Sequence, residues 1–147
     1  MIPLKITSPA FKHNEMIPSK YTCEGQDFNP PLEIKNIPDS AKTLAIIVDD
    51  PDAPVGTWVH WVVWNIPTKE KIPENSVPGT EGINSFKRRS FGGPCPPSGT
   101  HRYFFKVYAL DKTLIVSGHA KKQDVEKAMQ GHILGQGELI GLYKKSK

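Results

Sequence analysis

Thr43-Leu44-Ala45-Ile46-Ile47-Val48-Asp49 and, a short way on, Trp58-Val59-His60-Trp61-Val62-Val63-Trp64-Asn65-Ile66 decide the fold of this chain. Both stretches are rich in β-branched and aromatic residues, and both are bounded by proline- and aspartate-bearing turns, as strands are. Leu44 to Val48 is apolar on every residue, and so is most of Trp58 to Ile66. Runs with no polar face belong to central strands covered on both sides. Working outward, further strands are expected at Leu4 to Thr7, Leu32 to Lys35, Arg102 to Leu110 and Glu138 to Tyr143. One helix is expected from Lys122 to Leu134, where Val125, Ala128, Met129 and His132 recur at helical spacing.

The connections Asn29-Pro30-Pro31, Asn36-Ile37-Pro38-Asp39 and Gly92-Gly93-Pro94-Cys95-Pro96-Pro97 read as turns or sheet edges, because proline removes a ladder donor. With 14 prolines and 12 glycines in 147 residues there are many turns and few long helices. A chain of this length forms one domain, burying roughly 68–70% of its unfolded surface. The expected fold is all-β with a minor helix: a sandwich of two antiparallel sheets flanked by one late helix.

The net charge of +4 is concentrated in Lys87-Arg88-Arg89 and Lys144-Lys145-Ser146-Lys147. Neither cluster has the aromatic interleaving of a single-strand platform or the helical basic stripe of a groove reader, so no specific nucleic acid is expected as partner. Met1-Ile2-Pro3-Leu4-Lys5 lacks the basic start and long apolar core of a signal peptide, and no apolar run reaches spanning length. A cytoplasmic protein with no membrane span is the expectation.

Candidate chemistry gathers on three segments. Trp58 and His60 share a face of one strand, and His101 and Tyr103 share a face of another, because side chains repeat every two residues. Asp50-Pro51-Asp52-Ala53-Pro54 follows an apolar strand and returns within seven residues of Trp58, toward the same rim. Two imidazoles, a phenol, an indole and a carboxylate in one cavity suffice to fix a small charged ligand. Arg102 faces away from His101 and Tyr103 and is expected to pair with a structural carboxylate. His13, His119 and His132 have no comparable setting and read as surface or packing residues.

Two rivals stay open. Two histidines and two aspartates could hold zinc, but His-Glu-x-x-His and Cys-x-x-Cys are both missing from the sequence. Ser90, Ser98 and Cys95 lie near His101 in sequence and could serve as nucleophiles, though no Gly-x-Ser-x-Gly elbow exists.

Taken in order, Tyr21-Thr22-Cys23-Glu24-Gly25, Asn29-Pro30-Pro31, the Asp50 to Pro54 turn, Trp58 to Pro67 and Gly92 to Tyr103 resemble the phosphatidylethanolamine-binding proteins, in their bacterial and archaeal kinase-inhibitor-like branch. The resemblance covers nearly the whole chain. It implies a sandwich with an anion pocket at one end, no established catalytic activity, no cofactor, and a homodimer. Carried over by motif, the pocket would be Asp50, Trp58, His60, His101 and Tyr103, with backbone of Gly93 and Pro94 completing a wall. The eukaryotic branch has a C-terminal helix near the pocket mouth; this sequence ends soon after Tyr143, so lid gating and kinase-binding surfaces are not carried over.

The expected function is therefore non-enzymatic binding of a small phosphate-containing ligand: a phospholipid head group, a nucleotide phosphate or a phosphorylated side chain. His60, His101 and Tyr103 would donate to the anion, Trp58 would form an apolar wall, and Asp50 would orient an imidazole or meet a cationic part of the ligand. The alternatives are a modulator of a protein kinase or inhibitor of a serine protease acting through its loops, and a hydrolase using His101. Cys23 and Cys95 flank the site and are expected to approach each other as thiols, with a bridge as the alternative.

Overall fold

The computed structural model describes residues 1–146. In chain order the elements are β1 (Ile2–Pro3), β2 (Lys5–Thr7), β3 (Glu15–Met16), β4 (Leu32–Lys35), β5 (Thr43–Asp50), β6 (Trp58–Ile66), β7 (Lys71–Ile72), β8 (Thr80–Glu81), β9 (His101–Leu110), α1 (Lys122–Met129) and β10 (Ile133–Tyr143). The large sheet runs β1-β10-β9-β5-β6-β8, with β3 added beside β10, and the small sheet runs β2-β4-β7. The fold is thus mostly strand, in two sheets with one helix, as expected. The long neighbours pair antiparallel. Only the two-residue strands β1 and β3 join β10 in parallel.

All eight residues of β5 are buried, because the sheet is covered on both faces. Leu44, Ile46 and Val48 join Trp61, Val63, Phe105 and Val107 in the core between the sheets. Ala45, Ile47, Val62 and Trp64 pack on the opposite face under Val125 and Met129 of α1. Each of those helix residues is fully buried, contributing roughly 1.5–3 kcal/mol relative to exposure.

The helix stops earlier than its periodicity suggests. It ends at Met129 rather than near Leu134, because Gly131 adopts φ 80° and Ile133 already pairs with Leu110 of β9. Ladder hydrogen bonds to a buried strand outweigh one more helical turn. The strand therefore begins at Ile133, five residues before the expected Glu138. A Cβ at Gly137 would overlap the Leu4 backbone, so glycine lets the N-terminal segment lie directly on β10.

Strand β6 carries two irregularities, both visible as shifts in its register with β5. At one, Asn65 takes φ 54° and its side-chain amide exchanges two hydrogen bonds with the Leu114 backbone, at 2.9 and 2.8 Å. At the other, Val48 pairs with Trp61 and Asp49 with Val59, leaving His60 without a partner on β5. That is a β-bulge, and it shapes the site.

Cys23 and Cys95 do meet, with Cα atoms 5.5 Å apart, and they are joined as a disulfide rather than held as two thiols. Such a bridge suits an oxidising compartment, or the interior of hyperthermophiles. No helix of the described residues is long and apolar enough to cross a membrane.

The bridge closes a loop with a sequence separation of 72. Replacing both cysteines by serine is expected to cost about 4 kcal/mol of unfolding free energy on the chain-entropy estimate. Urea unfolding of the oxidised protein and the double variant measures this; a difference below about 1 kcal/mol would contradict the bond.

Candidate functional site

The β-bulge sets the direction of the whole site. Along β6, Val63 and Trp61 face the inter-sheet core while Val62 and Trp64 face α1. Strict alternation would therefore send His60 toward the helix side. The extra residue reverses the phase, so His60 lies on the same side as Trp61, edge-on to Tyr103 with ring centroids 5.2 Å apart.

The backbone groups the bulge frees are taken up by the connection between β8 and β9. Asn84, buried, donates from Nδ2 to the carbonyls of His60 and Ser90 at 3.2 and 2.7 Å, and its Oδ1 accepts the amides of Phe86 and Arg88. Ser85 accepts the Val59 amide on Oγ at 2.8 Å and donates its own amide back to the Val59 carbonyl. Gly92 makes a reciprocal pair with His60: its amide donates to the His60 carbonyl at 3.0 Å, and its carbonyl accepts from His60 Nδ1 at 2.6 Å. A Cβ at Gly92 would meet the Phe86 ring at 2.5 Å, so only glycine brings this carbonyl so close.

A cavity of about 370 Å³ opens beside these groups. His60, His101, Tyr103 and Asp50 line it together with Trp58, as the sequence predicts. The sequence reading missed Phe86, which stands edge-on to both Trp58 and His60 at 5.5 and 5.3 Å. It also placed the proline-rich wall too early. Gly93 and Pro94 are not on the cavity surface; Cys95, Pro96 and Pro97 are. Gly93 and Pro94 sit behind it, the Gly93 amide donating to Asp27 Oδ1 at 2.7 Å and the Pro94 carbonyl accepting the Cys23 amide at 3.1 Å. The disulfide then carries the chain forward into the wall. Ala53, Pro54 and Val55 close the opposite rim, where Val55 is 87% exposed.

Asp50 and His101 are both buried, and His101 Nδ1 donates to Asp50 Oδ2 at 2.7 Å. The other Asp50 oxygen accepts the Asp52 amide, also at 2.7 Å. With Nδ1 committed to the carboxylate, Nε2 is the ring nitrogen left to a ligand. Asp52 clamps Arg102 through two guanidinium bonds of 2.9 Å and accepts its backbone amide at 3.0 Å, and this holds the Asp52 carboxyl down at about 2. Arg102 is therefore a structural partner of the acidic turn, as its outward register implies.

His60 spends its Nδ1 inside the protein, on the Gly92 carbonyl. A carbonyl can only accept, so Nδ1 carries the proton. Burial lowers the His60 pKa, an effect larger than the opposing pull of the Gly92 carbonyl and of Asp50, Asp49 and Asp27. Burial thus favours the neutral ring, with Nδ1 carrying the proton. The Tyr103 hydroxyl is buried and makes no hydrogen bond of good geometry; burial, then the charges on Asp50 and Asp52, raise its pKa against a weaker opposing contact with the Cys95 backbone. Among the described residues no group of three or more His, Cys, Asp or Glu is placed to hold a metal ion.

The sequence profile described as phosphatidylethanolamine-binding protein matches residues 7–144. The chain belongs to the phosphatidylethanolamine-binding protein family. A UPF0098 protein of Pyrococcus horikoshii is 50% identical over 97% of this chain and 77% of its own length. One from Methanothermobacter thermautotrophicus is 45% identical over 97% and 99%. A solved structure of a putative family homologue from Chlamydia trachomatis superposes with a TM-score of 0.95 at 37% identity, covering 99% of this chain and 100% of that one. E. coli YbcL, described as a new member of the mammalian family, gives 0.89 at 30% identity, covering 97% and 99%. The family and its bacterial and archaeal branch therefore agree with the sequence motifs.

An unpartnered buried hydroxyl costs the empty protein stability. Tyr103→Phe is expected to raise the unfolding free energy of the ligand-free protein by about 1 kcal/mol. Thermal or urea unfolding checks this, and a loss of stability would mean the hydroxyl has a partner.

Proposed function

We propose that this chain is a binding protein without turnover, and that its cavity takes a phosphate-type group presented by a phospholipid head, a nucleotide or a phosphorylated side chain. The observation that carries this reading is a cavity in which His60 and the Asp50-bonded His101 stand together beside the Tyr103 ring. A phosphoryl oxygen is an acceptor suited to an imidazole N–H. Trp58, Phe86, Pro96 and Pro97 supply an apolar wall for whatever the phosphate is attached to.

A hydrolase is the second reading, favoured by one feature. The Asp50–His101 pair has the arrangement of a carboxylate-oriented general base. The cavity lining supplies no serine or threonine hydroxyl, and the Cys95 sulfur is tied up in the bridge, so the nucleophile would have to be water.

Thermal shift and calorimetric titration with inorganic phosphate and phenyl phosphate test the first reading. A rise in midpoint that grows with ligand concentration is expected. His101→Ala should weaken binding by about 1.5–3 kcal/mol, the scale of a hydrogen bond to a charged group, while leaving the sandwich folded. Unchanged affinity in a folded His101→Ala protein would contradict the assignment. Release of p-nitrophenol from p-nitrophenyl phosphate or acetate, if it depends on His101, would move the conclusion to the second reading.

A further inference from the structure

The Cys23–Cys95 bridge lies at the surface rather than in either core. Both cysteines are exposed, neither belongs to the apolar clusters on the two faces of the large sheet, and Cys95 lines the cavity. A disulfide that reaches solvent is open to attack by a thiolate, and exposed bridges are the labile ones among protein disulfides.

The bridge joins a firm base to a loose span. On the base side Thr22 is fully buried, its Oγ1 donates to the Ser19 carbonyl at 2.8 Å, and its carbonyl accepts the Gly25 amide at 3.0 Å. The wall is equally well tied as far as Pro94, through the Gly92 bonds to His60, the Gly93 amide on Asp27 and the Pro94 carbonyl on the Cys23 amide. It is tied again from His101, which opens β9 and bonds Asp50. Between these anchors, among the described residues, Cys95 to Thr100 make no hydrogen bond of good geometry. Pro96 and Pro97 have no amide to offer, and a Cβ at Gly99 would meet nothing within 4 Å. Of this span only Pro96 is buried. Its position therefore depends on one covalent bond and one packed proline.

We propose that Cys23–Cys95 is a reversible thiol–disulfide site, and that a dithiol reductant, by opening it, releases the span from Cys95 to Thr100 and widens the cavity mouth while the sandwich stays folded. The exchange balances. A thiolate of the reductant attacks one bridge sulfur, the Cys23–Cys95 bond breaks through a mixed disulfide, and the second thiol of the reductant closes an S–S bond of its own. Two electrons and two protons pass from the dithiol to the bridge, leaving Cys23 and Cys95 as thiols. Release begins at Cys95, because the bond between the Cys23 amide and the Pro94 carbonyl does not need the bridge sulfurs. The wall responds in this way whatever the cavity binds, so the site stands apart from the phosphate reading.

Dithiothreitol titration of the oxidised full chain without denaturant tests the site, with freed thiols counted by alkylation and mass spectrometry. Reduction is expected to go to completion on the folded protein. Nitrogen-15 relaxation should then place Ser98, Gly99 and Thr100 below an order parameter of about 0.6, the flexible range, on reduction alone, with β5 and β6 unchanged. Trp58 gives a second readout. Trp61 and Trp64 are each 1% exposed and Trp58 lines the cavity, so acrylamide quenching reports the mouth and is expected to rise on reduction. Cys23→Ser combined with Cys95→Ser should show the reduced behaviour throughout and no response to dithiothreitol; if that variant does not fold, the reduced wild-type chain still decides. A bridge that resists dithiothreitol until the protein unfolds, a sandwich that unfolds on reduction, or a reduced protein with an unchanged wall would each overturn the proposal and leave the bridge a staple.

Discussion

One unpaired residue in a buried strand governs the site. Between Val48–Trp61 and Asp49–Val59 the ladder skips His60, and the skip turns Trp58 and His60 from the helix side of the large sheet to the side where Asp50, His101 and Tyr103 emerge. A bulge in the second strand of a fully covered sheet exposes backbone groups that cannot reach water. Asn84, Ser85 and Gly92 supply the missing partners, so the long connection between β8 and β9 is as much a part of the site as the strands. The same bracket that repairs the ladder holds the Nδ1 proton of the His60 ring. Structure and chemistry meet in the Gly92 carbonyl.

The rest of the cavity follows from strand ends and their anchors. β5 alternates without interruption from Leu44 to Asp50, so Asp50 falls on the core face where apolar packing gives way to the cavity. His101 opens β9 on the same face, and their buried bond joins two neighbouring strands at the rim. Asp52 and Arg102 repeat that link on the solvent side with a bidentate clamp. Across the opening, the Cys23–Cys95 bridge and the Asp27–Gly93 bond seat the proline wall. The residues around the cavity are therefore held in place by bonds made at its rim and behind its walls.

Much of this was legible in the sequence, and the limits have physical causes. The long strands could be read because Leu44 to Val48 and Trp58 to Ile66 are apolar beyond what any exposed element tolerates; Trp58–Ile66 has the expected bounds. Glu15–Met16, Lys71–Ile72 and Thr80–Glu81 could not, since two residues carry no period. Alternation rightly grouped Trp58 with His60 and His101 with Tyr103, but it could not say which face of β6 they take, because the bulge resets the phase. Phe86 was missed because it precedes Lys87-Arg88-Arg89 and looks like part of an exposed basic turn. Gly93 and Pro94 were placed on the wall by motif alone, whereas the disulfide shifts the cavity surface onto the next residues. No pattern of residue types reveals that His60 spends its Nδ1 proton inside the protein; that depends on a carbonyl 32 positions away.

The measurement that bears most directly on the cavity is a crystal structure of the oxidised protein soaked with phosphate at about pH 6. Phosphate is expected in the cavity beside His60 Nε2 and His101 Nε2, with oxygen atoms at about 2.6–3.0 Å from each. An empty cavity, with phosphate gathered instead on the basic groove of Arg102, Lys106 and Lys122 on the other face of the sheet, would contradict it.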